Sequence, residues 1–243
     1  MRICPLIKVC LLFPSLLLRG GLGTAQGAGI AVKGETAAAL TLDYNRAFGF
    51  CSAGEITGSV ELNRAAVFRA GLLAGGESLD TEQGGIFRAG AFFDIEYRFF
   101  FSKAALAVRL SYKNNAIPQY MFSEYGLGSL VSIQAWIFEA ALGLTNRWTF
   151  YGQGAPLREL VPSYLLSVRL FQNDRFRAGL AVANFDAFNA QNFGSYFYTL
   201  SCVWRFAGNF SLLNELSLHQ AGSINMTANF YGIVYKGGLV WTY

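Results

Sequence analysis

The chain has 243 residues, 53% hydrophobic and 16% aromatic but only 14% charged, whereas a water-soluble domain carries about 25% charged residues. Its formal charge of +4 includes Arg2, Lys8 and Arg19 in the first segment. The remainder is close to neutral and offers no electrostatic case for nucleic acid. Beyond that segment no apolar run approaches the roughly 20 residues a membrane helix needs. Residues 92–101 contain Asp94, Glu96 and Arg98, and 127–144 contain Gln134 and Glu139.

Residues 1–25 have the layout of a secretory signal peptide. Arg2 and Lys8 form the basic start, 9–18 the apolar stretch, and Gly23, Ala25, Gly27 and Ala28 the small residues around a cleavage site. The cut is placed after Ala25, with Ala28 as the alternative; Arg19 is unusual in such a segment. No Cys adjoins the cut, which argues against a lipoprotein. Cys4 and Cys10 leave with the leader. Cys51 is read as a loop residue and Cys202 as a lipid-facing strand residue, two separate thiols, with a disulfide between them as the alternative in an oxidising compartment.

Residues 26–243 are one domain of repeated period-2 alternation. The clearest stretch is 87–101. Phe87, Ala89, Ala91, Phe93, Ile95, Tyr97, Phe99 and Phe101 share one face, and Arg88, Asp94, Glu96 and Arg98 share the other. A helix would scatter these charges, whereas a strand collects them on one side. Strands are predicted at 29–45, 53–62, 65–75, 84–101, 103–113, 127–144, 147–154, 160–171, 175–185, 193–206, 209–219 and 225–243. These twelve segments, eight or ten if 53–75 is one strand or 147–154 is loop, exceed the length of ordinary soluble strands and suffice to cross a bilayer. Short turns are expected near 63–64, 102, 145–147, 172–174 and 207–208, and longer connections between them, including 114–126. Aromatics gather at both ends of the apolar faces, as in interfacial girdles. The expected fold is all-β, an antiparallel transmembrane β-barrel with no helical domain.

If the apolar face meets lipid, then Asp43, Glu61, Arg69, Arg88, Asp94, Glu96, Arg98, Arg109, Arg169, Arg177, Arg205 and Glu215 point into the lumen. Such charges either fill a narrow barrel as ion pairs or line a water-filled pore, and strand number decides between the two. Near the short turns Arg98, Lys103, Arg147, Arg169, Arg175, Arg177, Arg205 and Lys236 outnumber Glu61, Glu96 and Asp174. That end should be positive and favour anions. The single histidine, His219, has Ser217 and Ser223 nearby but no motif joins them. No enzymatic activity, cofactor or metal site is expected.

The last strand carries Lys236, Gly238, Trp241 and Tyr243 as polar, glycine, hydrophobic and terminal aromatic residues. This resembles the C-terminal signal that bacterial outer-membrane barrels present to the barrel-assembly machinery, although that family usually ends in Phe. The resemblance implies an outer-membrane location, with membrane lipid and that machinery as partners. The resulting expectation is a channel for small solutes or ions with mild anion preference. The alternative is a closed barrel whose loops, 114–126 above all, bind a host surface or partner protein.

Overall fold

The computed structural model describes residues 31–45, 49–78, 86–118, 121–152, 154–188, 194–221 and 229–243. The proposed signal segment lies outside the described residues. The strands are β1 (Val32–Asn45), β2 (Gly49–Leu62), β3 (Ala66–Ser78), β4 (Ile86–Phe100), β5 (Ala104–Ile117) and β6 (Phe122–Ala135). They continue with β7 (Phe138–Tyr151), β8 (Leu157–Gln172), β9 (Phe176–Ala183), β10 (Ser195–Ala207), β11 (Phe210–Ala221) and β12 (Asn229–Thr242). Each pairs antiparallel with its sequence neighbours, and β1 pairs with β12, closing a twelve-stranded barrel without free sheet edges.

Alternation dictates the two faces. On β4, Phe93, Ile95, Tyr97 and Phe99 are 40–50% exposed, while Phe92, Asp94 and Glu96 between them are 7% exposed or less. The largest apolar side chains stand outside and the carboxylates inside, the inverse of a soluble protein and the pattern of a lipid-facing barrel. Aromatic pairs sit at the ends of this outer band. Trp204 meets Phe206, and Phe210 stacks on Trp241 at one end; Tyr125 meets Phe150 at the other.

Three stretches depart from the sequence expectation. Residues 127–144 are not one strand, because a two-residue turn at Trp136 and Ile137 divides them between β6 and β7. Two-residue hairpins normally carry Asn or Gly. Here Trp136 takes the left-handed backbone (φ 61°) and is 89% exposed, so an apolar turn gives no polar break in the sequence. Positions 145–147 then lie inside β7, and Arg147 belongs to the opposite end from the short turns. The supposed 114–126 loop shrinks to 118–121, since Asn114, Asn115 and Ile117 belong to β5 and Phe122 to β6. Tyr120 lies outside the described residues. Cys51, expected in a loop, is in β2, and Cys202 is a free thiol on β10.

The short turns fall at 63–65, 101–103, 136–137, 173–175 and 208–209. Asn173 caps one of them, its Oδ1 accepting from the backbone N–H of Arg175 (2.9 Å) and Phe176 (2.6 Å). At the β1–β12 seam, Gly238 is required by close approach. A Cβ there would come within 2.8 Å of the Ala38 carbonyl oxygen and the Ala39 Cβ. The Tyr243 ring covers Gly34 directly across the seam, an aromatic filling the space a glycine leaves.

Candidate functional site: the barrel lumen

The inner wall divides into sectors with different charge chemistry. On β2–β5, three guanidinium groups converge on one carboxylate. Glu96 accepts from Arg69 (2.9 Å), Arg98 (2.7 Å) and Arg109 (2.6 Å). Arg98 also reaches Glu61 at 3.3 Å. Asp94 stands directly across the β3–β4 ladder from Arg69. Arg88 donates to Asn115 (2.9 Å) nearer the other end. With its three acids and three arginines, this cluster of β2–β5 is balanced in charge.

A second cluster bridges the seam. Lys236 lies between Glu55 (2.7 Å) and Glu215 (3.8 Å), at mid-height rather than beside a short turn. A third lies toward the longer connections, where Arg147 pairs with Glu159 and approaches Glu124 (3.9 Å). Glu55, Glu124 and Glu159 escaped the sequence analysis because alternation assigns a face but not a partner.

On β8–β10 the pattern changes. Arg169, Arg177 and Arg205 occupy the inner face of three consecutive strands. None has a carboxylate within salt-bridge distance among the described residues. Arg177 and Arg205 line a cavity of about 490 Å³ at the short-turn end, bounded by β1, β2 and β8–β12. Lys33 and Arg175 add positive charge there; Glu35, Asp174 and Glu215 offset part of it.

The third component is a chain segment inside the bore, which the sequence analysis missed. β9 has eight residues, against twelve to sixteen in the other strands, and ends at Ala183. Asn184, which is 0% exposed, then continues the ladder with its side chain. Its Oδ1 accepts from the Tyr164 N–H (2.8 Å), and its Nδ2 donates to the Pro162 carbonyl (2.7 Å). Pro162 is tolerated because its side of β8 faces the place where β9 has ended and no ladder donor is needed. The main chain is thereby released from the wall and turns inward.

Phe188 reaches the opposite wall. It packs edge-on against Phe92 (5.1 Å between ring centres) with Ala53 and Leu73, and is 4% exposed. Gly90 provides the room, since a Cβ there would stand 3.2 Å from the Phe188 ring. Between the two ends, the Lys113 ammonium donates to the Asp186 carbonyl and lies 5.0 Å from the centre of the Phe185 ring. The Asp186 carboxylate accepts from the Phe188 N–H (2.7 Å). A cavity of about 310 Å³ separates this segment from β5–β8, lined by Ser111, Ser129, Thr145 and Ser163.

His219 stacks on Phe197 at the longer-connection end (5.2 Å between ring centres), and the Ser217 hydroxyl pairs with that of Thr199 (2.8 Å). Ser223 lies outside the described residues, as does the side chain of Asp43. Of the C-terminal residues, Lys236 points inward to its two carboxylates, Gly238 is pressed against β1, and Trp241 and Tyr243 form the outer aromatic end of β12.

No protein-family model matches the sequence, and no curated protein sequence matches it. Solved structures do match in fold. A KdgM porin in complex with disordered oligogalacturonate superposes with a TM-score of 0.55 at 7% identity, over 86% of this chain and 99% of that one. NanC porin gives 0.55 at 12% identity over 84% and 98%. The COG4313 outer membrane channel of Pseudomonas putida F1 gives 0.51 at 9% identity over 92% and 98%. The protein thus has the twelve-stranded closed fold of bacterial outer-membrane porins and channels.

Proposed function

We propose that the protein is a passive outer-membrane channel for small hydrophilic solutes or ions, with a modest preference for anions. The observation that carries this is the inward row Arg169, Arg177 and Arg205, without carboxylate partners among the described residues, the last two on the wall of a cavity at the short-turn end. Unpaired like charge in a pore favours the opposite ion. The preference is modest because Glu35, Asp174 and Glu215 share the same cavity. The oligogalacturonate complex of the KdgM porin is a carbohydrate precedent in this fold. At this level of identity it does not name a solute for the present chain. The test is the reversal potential across a planar bilayer under a salt gradient. Anion preference at low salt that fades at high salt supports the reading, and cation preference refutes the charge argument.

A closed barrel is the second reading, favoured by the segment that crosses the bore. It requires that no conductance be seen at any potential. In either case we propose that Lys236, Gly238, Trp241 and Tyr243 form the strand recognised during barrel assembly. Removal of Tyr243 should then lower outer-membrane levels without altering the fold of the protein that does insert.

A further inference from the structure

The channel proposal leaves open what limits the size of a solute. We infer that the segment running from Asn184 to Phe188 is the constriction: it seals the β2–β4 side of the bore and leaves the passage between itself and β5–β8. The inference rests on the channel reading. β9 and β3 stand diametrically opposite in the strand order, so a contact between this segment and β2–β4 spans the bore. The five residues that follow Ala183 extend at most about 17 Å, enough to reach the far wall with the help of two aromatic side chains.

The segment is built to stay there. Asn184 fixes the point of departure with two hydrogen bonds to β8. Lys113 holds the middle through the Asp186 carbonyl and the Phe185 ring. Phe188 ends in an apolar niche that leaves it 4% exposed, so no hydrated ion passes between it and β2–β4. The space left beside it lies against β5–β8, and the cavity lined by Arg177 and Arg205 lies at the short-turn end. Size selection by the segment and charge selection by the arginines therefore act at different depths of the bore.

The experiment compares the full-length wild type, Phe188→Ala and Lys113→Gln, each refolded into vesicles. Entry of neutral sugars of increasing size is read by swelling, and single-channel conductance in planar bilayers. Lys113→Gln removes a positive charge, which by itself would lower anion current, so a gain in neutral-sugar entry reports on the segment alone. Should Phe188→Ala fail to fold, Lys113→Gln still tests the idea. Both variants are expected to admit larger sugars than the wild type, and Phe188→Ala to raise conductance about two-fold or more, because the bore of a twelve-stranded barrel is wider than its constriction. A wild type that conducts, with folded variants of unchanged size limit, would overturn the constriction and spare the channel. A silent wild type beside conducting variants supports the segment as the obstruction and overturns the open channel. Silence in all three overturns both.

Discussion

The β3–β5 wall carries four inward arginines and the β8–β10 wall three, yet the two walls do different work. On the first, Arg69, Arg98 and Arg109 converge on Glu96, which is 3% exposed. There the charges hold neighbouring strands together and leave little net field. On the second, Arg169, Arg177 and Arg205 have no ion-pair partner among the described residues, and their charge is left to act on whatever occupies the bore. The same residue type is structural where register supplies a carboxylate and electrostatic where it does not.

The comparison breaks most sharply at Glu96. Glu96→Gln leaves three guanidinium groups facing one another across β3–β5. Losing one partner of a buried ion cluster costs about 3 kcal/mol. A urea titration in lipid vesicles should show that loss, and the reversal potential should move further toward anions. Near-wild-type stability would mean that the paired wall is as well solvated as the arginine wall.

On the outer face of the same strand, Ile95→Arg places a charge in hydrocarbon and should cost about 2–4 kcal/mol. It should leave selectivity unchanged, because Ile95 stands 40% exposed on the face opposite Glu96. An altered reversal potential in that variant would undo the assignment of the two faces.

Asn184→Ala removes the two side-chain bonds that replace the end of β9. About 1–2 kcal/mol of stability should be lost. Amide exchange should quicken at Tyr164 and stay unchanged in β3–β5.

The smallest change in stability belongs to the arginine wall. Arg177→Glu with Arg205→Glu should change the free energy of unfolding by no more than about 0.5 kcal/mol, as for surface sites without partners. The same pair should reverse ion preference at low salt. The effect fades as the Debye length falls from roughly 10 Å at 0.1 M to roughly 3 Å at 1 M. It does not titrate near neutral pH, because arginine stays protonated.

Much of this architecture is legible in the sequence, for a physical reason. Period-2 alternation is a local property, so the faces of 87–101 and 103–113 follow from the chain itself, and repetition of the pattern leads to the barrel. What depends on register is not legible. Arg98 and Arg205 look alike in sequence, each an inward charge near a short turn. Alternation alone puts Glu96 beside Arg98, but only the ladder shows that Glu61 lies within its reach and that Glu96 is shared with Arg69 and Arg109, while Arg205 has no carboxylate at salt-bridge distance among the described residues.

Two features of the sequence mark what the alternation alone does not. The apolar parity changes from odd (Leu127, Val131, Ile133) to even (Phe138, Ala140, Leu142), and this marks the Trp136–Ile137 turn even without a polar residue. Pro162 inside a long strand marks an unpaired edge, which is where β9 stops and the inward segment begins. The destination of that segment could not be read, because the niche for Phe188 is assembled from three different strands.

The seam has a consequence for how the molecule comes to exist. Every strand pairing except one joins sequence neighbours and can form as a local hairpin, whereas β1 and β12 meet from the two ends of the described chain. That contact carries the largest loop-closure entropy and should be the last to form. Until then the molecule is a curved sheet with two open edges, each a template for another chain. Lys236 and Glu55, 181 positions apart, can pair only after closure, so their bond locks the seam without speeding its formation. A bulky residue at position 238, such as Gly238→Val, would press on the Ala38 carbonyl and prolong the open-edged state. It should show as a slower final folding phase and more aggregation at high protein concentration, with the early hairpin phases unaffected.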